Sequence, residues 1–143
     1  FIQKHYIHIG MAVDTPRGLV VPVIRDVDEK DIWDISVDVV MLANKARDGK
    51  LTPAEMKGGC FTLSSLGAIG GNGFTPIINA PEVGILGVSK SQMKPTWDGN
   101  VFVPRLMLPL ALSYDHRAIN GAEAGRFLVD LIKLLGNIDY FSS

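Results

Sequence analysis

A single cysteine, Cys60, stands in 143 residues, so no intrachain disulfide can form. That excludes a small secreted scaffold built on disulfides and favours a reducing compartment. Neither sign of charge is in excess, for 14 Lys and Arg against 15 Asp and Glu leave a net charge of −1. With a pI near 6.3, the chain has no overall basic field to draw nucleic acid or an anionic membrane. No apolar run approaches the ~18 residues of a membrane span. The opening FIQKHYIHIG lacks the n-region, long h-region and cleavage site of a signal peptide. It reads as the inside of a strand, so a piece of something longer is expected. His5, His8 and Cys60 have no metal-ligand spacing. The two histidines read as sheet-face or edge residues and Cys60 as a small core filler.

What is present suits one domain with its own core: 47% of the residues are hydrophobic, and a domain of about 150 residues buries roughly 68–70% of its unfolded surface. Tyr6 to Val13 alternates as a strand, with Ile7, Ile9, Met11 and Val13 on one face. Asp14 to Gly18 carries turn chemistry and Leu19 to Ile24 is a second strand, placed at an edge because Pro22 cannot donate a ladder hydrogen bond. The periodicity predicts a helix over Asp31 to Asp48, with one apolar stripe, Asp28 or Asp31 as cap and Gly49 as stop. Thr52 to Glu55 offers a short capped turn, Cys60 to Leu66 a third strand, and Gly67 to Gly73 a flexible loop. Val83 to Lys90 and Val101 to Ser113 read as strands, with Asp98-Gly99 as a hairpin turn between them. A final helix follows Asn120, burying Phe127, Leu128, Leu131, Ile132 and Leu135 and ending at Gly136. The expected fold is α/β, a two-layer sandwich of a mixed sheet covered by helices.

The stretch most suited to chemistry is Ser113-Tyr114-Asp115-His116-Arg117-Ala118-Ile119-Asn120-Gly121. It places His116 between a strand end and a helix start, where a rigid scaffold can present a group suited to proton transfer near neutral pH. A histidine at such a connection can equally be a plain surface residue. Asn120 fits an N-cap with Glu123 at N3, and a residue four positions after His116 can also lie near the imidazole. A hydroxyl of Ser64 or Ser65, at a strand end, can serve a developing oxyanion or bond a turn backbone, and strand alternation points at most one of them into any given site. A Ser64-His116-Asp115 triad is disfavoured because adjacent side chains diverge in extended backbone, and G-x-S-x-G is absent. The glycine loop lacks the Gly-Lys-Ser/Thr ending of a phosphate cradle.

Taken in order, HIGMAVDT (8–15), GLVVPVI (18–24), FTLSSLG (61–67) and Asp115-His116-Arg117 with Gly121 resemble the catalytic domain of dihydrolipoyl acyltransferases, the core subunits of 2-oxo acid dehydrogenase complexes. The resemblance spans about residues 5 to 136. INAPEV (78–83), LGVSK (86–90) and RLMLPL (105–110) look most like the acetyl-transferring member, of the pyruvate dehydrogenase complex. The family's Asp-His-Arg-x-x-Asp-Gly signature has Asn120 here in place of its second Asp, which keeps hydrogen bonding but not charge. The resemblance implies a chloramphenicol acetyltransferase-like fold lacking its N-terminal part. Residues 1–143 are then the C-terminal part of the catalytic domain, without the lipoyl and subunit-binding domains.

The activity implied is transfer of an acetyl group from S-acetyldihydrolipoyl to coenzyme A, with coenzyme A as substrate, the lipoyl group on a separate domain and no metal. His116 is implied as general base, Ser64 as oxyanion donor and Asn120 as the residue that positions the histidine loop. The family's trimers place active sites between subunits, so His116 of one chain is expected to face Ser64 of its neighbour. Trimers are expected to build a cubic or icosahedral core that engages pyruvate dehydrogenase and dihydrolipoamide dehydrogenase subunits through other domains. The implied location is bacterial cytoplasm, or mitochondrial matrix in a eukaryote. Three alternatives stay open: a core acyltransferase of another 2-oxo acid dehydrogenase complex, a chloramphenicol-type transferase, and a non-catalytic scaffold homologue.

Overall fold

The structure is a computed structural model and describes residues 2–69 and 71–137. Gly70, within the expected glycine loop, and the tail beyond residue 137 lie outside the described residues. The main sheet has five strands in the order β4-β1-β5-β6-β9, formed by Ile9–Met11 (β1), Val23–Ile24 (β4), Phe61–Ser65 (β5), Gly84–Val88 (β6) and Leu110–Tyr114 (β9). It is mixed, as expected: β1, β5 and β6 run parallel, while β4 and β9 pair antiparallel at the two edges. Two ribbons stand apart from it, Val13–Thr15 (β2) with Gly18–Val20 (β3), and Gln92–Trp97 (β7) with Phe102–Met107 (β8).

Cys60 to Leu66 and Val83 to Lys90 each hold one unbroken strand, β5 and β6, while the other three strands expected from the sequence are broken where they leave the main sheet. Tyr6 to Val13 divides at Ala12, whose N–H reaches Leu63 O at 2.9 Å while the chain turns into the β2–β3 ribbon. Asp14 and Thr15 are therefore strand, and the turn shrinks to Pro16-Arg17. Leu19 to Ile24 divides likewise at Val21-Pro22, and the fully buried Pro22 takes Met11 N–H on its carbonyl at 2.9 Å. Val101 to Ser113 breaks at Leu108-Pro109, so its first half pairs with β7 and its second with β6. Strand β7 has no counterpart in the sequence reading. Its Pro95 sits opposite Pro104, an arrangement a two-stranded ribbon accommodates because neither residue owes a ladder bond at that pair.

Helix α1, Ile32–Arg47, begins where Asp31 takes Asp34 N–H on its side chain at 2.8 Å. Beyond its last residue, Gly49 N–H reaches Ala46 O and Lys50 N–H reaches Lys45 O, a Schellman ending that needs the left-handed φ of +68° at Gly49. Leu42, Ala43 and Ala46 are buried, the two alanines against Val13 and beside Met11. Full burial of a side chain such as Leu42 contributes about 1.5–3 kcal/mol. Met11 and Leu63 are register partners, and Phe61 lies two residues from Leu63, so one sheet face carries all three. Phe61 meets Phe127 of helix α2, Gly121–Leu135, at 5.8 Å. Both helices thus cover the same face, which completes the two-layer sandwich.

The opposite face is crossed by the connection between β5 and β6, where Phe74 and Pro76 press on Gly87 so closely that a Cβ there would sit 3.0 Å from the Phe74 ring. Two helix faces depart from expectation. α1 has a second apolar stripe, Trp33, Val37, Val40 and Met41, which is exposed, with Trp33 76% accessible. The α2 stripe is not buried: Phe127, Ile132 and Leu135 are exposed and Leu128 and Leu131 half-covered, leaving Ala124 as its buried residue. Helical spacing shows which residues share a face; it does not show whether anything in this chain meets that face.

Candidate functional site

The turn between β9 and α2 is fastened at both ends. Asp115 N–H bonds Val83 O at 2.9 Å, and Asp115 O takes the N–H groups of Ala118 and Ile119 at 2.9 and 3.0 Å. Asn120 closes the other end through a reciprocal capping box: its Oδ1 accepts Glu123 N–H at 2.9 Å, and Glu123 Oε2 accepts Asn120 N–H at 3.1 Å. The expected cap is therefore present. His116 is exposed at the apex, its ring 5.5 Å from that of Tyr114, and no hydrogen bond holds the imidazole among the described residues.

Asp115 does not orient His116. Its carboxylate takes Arg117 N–H at 3.0 Å, Arg117 Nε at 2.9 and 3.2 Å, and Arg117 Nη2 at 2.6 Å. This paired guanidinium holds the Asp115 carboxyl down at about 2, below the usual carboxylate range. The disfavoured triad is thus ruled out by what Asp115 binds. Sequence reading missed the Asp115–Arg117 pair itself, whose signal was the i, i+2 placement of opposite charges on either side of the histidine.

The two serines of β5 divide their roles as strand alternation requires. Ser65 Oγ takes Gly67 N–H at 3.1 Å, the ordinary duty of a turn hydroxyl. Ser64 faces the other way, half-buried, on the face crossed by Phe74 and Pro76, and no hydrogen bond engages its hydroxyl among the described residues. Two residues earlier on that face, the fully buried Thr62 donates to Glu82 Oε2 at 2.6 Å, and Asn79 Nδ2 donates to Glu82 Oε1 at 3.3 Å. This network pins the β5–β6 connection to the sheet.

Ser64 and His116 are not brought together within the chain. Ser64 pairs with Gly87, which pairs with Ala111, and β9 then runs away from that level to Tyr114 before the loop begins. A rise of about 3.3 Å per residue and a strand spacing of about 4.8 Å put Ser64 about 14 Å from Tyr114, with His116 further on. Neither side chain is long enough to close that gap. His116 and Asn120 share one loop; Ser64 lies at the other end of the strands.

His8 and Cys60 depart in part from expectation. His8 is buried at 6% exposure, its Nδ1 taking Asp26 N–H at 3.0 Å and its ring stacked on Tyr6 at 4.1 Å. It serves the corner at Arg25-Asp26. Cys60 is half-buried, not a core filler, and donates its thiol to Tyr6 O at 3.2 Å. Among the described residues no group of three His, Cys, Asp or Glu is placed to hold a metal.

Residues 1–141 match the family described as 2-oxoacid dehydrogenases acyltransferase (catalytic domain). The chain belongs to this acyltransferase family. The dihydrolipoyllysine-residue acetyltransferase component of the pyruvate dehydrogenase complex from Pseudomonas aeruginosa is 64% identical to it over 137 residues, 96% of this chain and 25% of that protein. The component from Azotobacter vinelandii is 62% identical over 137 residues, 96% of this chain and 22% of that protein. Among solved structures, the Azotobacter vinelandii dihydrolipoamide acetyltransferase superposes with a TM-score of 0.94 at 59% identity, covering 99% of this chain and 58% of that one. That protein was investigated for the role of a serine, a histidine and an asparagine in its catalytic mechanism. The cubic core of a pyruvate dehydrogenase multienzyme complex superposes equally, with a TM-score of 0.94 at 60% identity and the same coverages of 99% and 58%.

The chain therefore spans about a quarter of these two curated relatives and 58% of these two solved chains. The acyltransferase fold, mixed sheet and two covering helices, is the one the sequence led us to expect.

Proposed function

We propose that this chain forms the C-terminal part of an acyltransferase catalytic domain that moves an acetyl group from S-acetyldihydrolipoyl to coenzyme A. A free thiol with pKa near 8.5 is only a few per cent thiolate at neutral pH. His116, exposed at a fastened turn and without a hydrogen bond to its imidazole among the described residues, takes the coenzyme A thiol proton as the sulfur attacks the thioester carbonyl. General-base help of this kind contributes roughly 10²–10⁴-fold. The carbonyl oxygen becomes an oxyanion that receives a hydrogen bond from Ser64, whose hydroxyl has no partner among the described residues. Collapse expels the dihydrolipoyl sulfur, which recovers the proton from His116. The serine, histidine and asparagine investigated in the Azotobacter vinelandii protein stand at the same separations along its chain as Ser64, His116 and Asn120, which supports this assignment. Asn120 positions the histidine loop through its cap.

The observation that carries the reading is the distance between Ser64 and His116 within the chain. With Ser64 and His116 at opposite ends of one sheet, they meet only if His116 of one chain reaches Ser64 of another, as a trimer with active sites between subunits provides. Such trimers would assemble into a larger core, cubic in the relative whose core is solved, and would meet the lipoyl group and the partner dehydrogenase subunits through domains outside this chain. The test is His116→Ala in the assembled enzyme, assayed for acetyl transfer between dihydrolipoamide and coenzyme A, with particle size measured in parallel. Loss of roughly 10²–10⁴-fold in rate with unchanged particle size is expected; unchanged rate would remove His116 from its role.

A further inference from the structure

The chemistry above asks two things of His116: a fixed direction and a surrounding charge that lets it take up and return a proton. Its loop places a cation one residue away, at Arg117, and an anion one residue before, at Asp115. Either charge alone would disturb the imidazole, the guanidinium by disfavouring its protonated form and the carboxylate by favouring it. Instead the two are joined in a fork, with Arg117 Nη2 on Asp115 Oδ2 at 2.6 Å and Arg117 Nε on Asp115 Oδ1 at 2.9 Å. The same Oδ1 takes the backbone N–H of Arg117 at 3.0 Å, so the carboxylate grips both ends of that residue. The Arg117 side chain is 90% exposed and the Asp115 side chain 25% exposed. A bond network this dense on so exposed an arginine is not needed to bury either group.

We propose that Asp115 and Arg117 are the positioning pair of His116: they fold the loop so that the imidazole stands out at its apex, and they cancel each other's field at the ring. This rests on the reading of His116 as the base. Two other charged groups near the loop, Glu82 and Glu123, keep their charge but are held in place by neutral donors. Glu82, from the segment that lines with Asp115 and Arg117 a cavity of about 680 Å³, is held by Thr62 and Asn79. Glu123, in the first turn of α2, is held by the Asn120 N–H. Tyr114 lies against the imidazole as a ring, 5.5 Å away. The pair is the charged element on either side of His116 in the chain, so its disruption changes the charge beside the imidazole.

The pair is tested in the full-length assembled enzyme with Asp115→Asn, Arg117→Gln, the double variant and Arg117→Lys, each assayed for kcat against pH. Asp115→Asn leaves a bare guanidinium, and the acid limb should move down; Arg117→Gln leaves a bare carboxylate, and the limb should move up. Each shift should be roughly half a unit, the size of one charge acting from a neighbouring residue in near-aqueous surroundings. The double variant should recover the original midpoint but not the original kcat, because the fork is gone. Arg117→Lys, which keeps the charge without the fork, should hold the midpoint and lower kcat. Loss of alignment at a base is expected to cost up to about 100-fold. Unchanged kcat and profile in the single variants would overturn the proposal, as would a loss of kcat with no movement of the limb. Activity retained in His116→Ala would instead sink the reading beneath it.

Discussion

Ser64 and His116 occupy opposite ends of one sheet, with Ser64 level with Gly87 and Ala111, and His116 beyond Tyr114 on the strand that runs the other way. Both belong to well-fastened segments, so no modest loop movement brings them together. Under the proposed function the chain carries two half-sites at different ends of its sheet, and association with another copy is then part of catalysis.

Removing the Ser64 hydroxyl should lower kcat by about 10²–10³, the usual loss for one oxyanion donor, while KM for coenzyme A stays within a few-fold. Steady-state kinetics of Ser64→Ala check this. Ser65→Ala is the control, for its hydroxyl serves Gly67 N–H and its loss should leave the rate nearly unchanged. A large loss in Ser65→Ala alone would exchange the two roles.

Asn120 separates capping from positioning. Asn120→Ala removes the acceptor for Glu123 N–H and should cost about 1 kcal/mol of stability, measured by denaturant unfolding. Asn120→Asp keeps that acceptor and adds a charge favoured at a helix start, so its stability should equal or slightly exceed the original. Activity that falls in Asn120→Ala and returns in Asn120→Asp is the pattern expected of a residue acting through the loop.

The cap, the Asp98-Gly99 turn, the Schellman glycine at residue 49 and the histidine loop were legible because each is fixed by a few adjacent residues. The breaks at Ala12, Val21-Pro22 and Leu108-Pro109 were not, since apolar alternation continues through a strand that changes partners. Strand β7 escaped notice because Gln92–Trp97 carries Lys94 and Pro95 and pairs with a ribbon partner, not with the sheet. The second stripe of α1 and the bare stripe of α2 show the same gap from the other side: spacing names a face, and contact depends on the rest of the assembly. The separation of Ser64 from His116 lay beyond any spacing rule, for it follows from β9 running antiparallel to β5 and β6.

Gly10 tests how tightly the sheet face beside the site is built. A Cβ there would lie 2.6 Å from Thr62 Oγ1 and 2.8 Å from Val21 Cγ1, so Gly10→Ala must displace the hydroxyl that bonds Glu82. Overpacking of this kind costs about 1–3 kcal/mol. Thermal or denaturant unfolding should show the loss, and an unchanged midpoint would mean the face yields freely.

Acid should spare the Glu55 ion pair until late. Lys45 Nζ on Glu55 Oε1 at 2.6 Å, with the Thr52 cap, holds the Glu55 carboxyl at about 2 against an ordinary 4.5. A depressed carboxylate contributes stability above its ordinary value and loses it as pH falls toward the folded one. The stability gap between the original chain and Glu55→Gln should therefore be full above about pH 5 and close between about 4.5 and 2. A gap that opened on acidification would contradict this.

The central claim, a site built jointly by two chains, is tested most directly by mixing two inactive variants. Ser64→Ala and His116→Ala chains are unfolded together, reassembled at equal ratio, and assayed for acetyl transfer to coenzyme A. Random trimers should then pair an intact His116 with an intact Ser64 at about a quarter of their interfaces, restoring about a quarter of the original activity. Activity no higher than that of the two variants assembled separately would contradict the account.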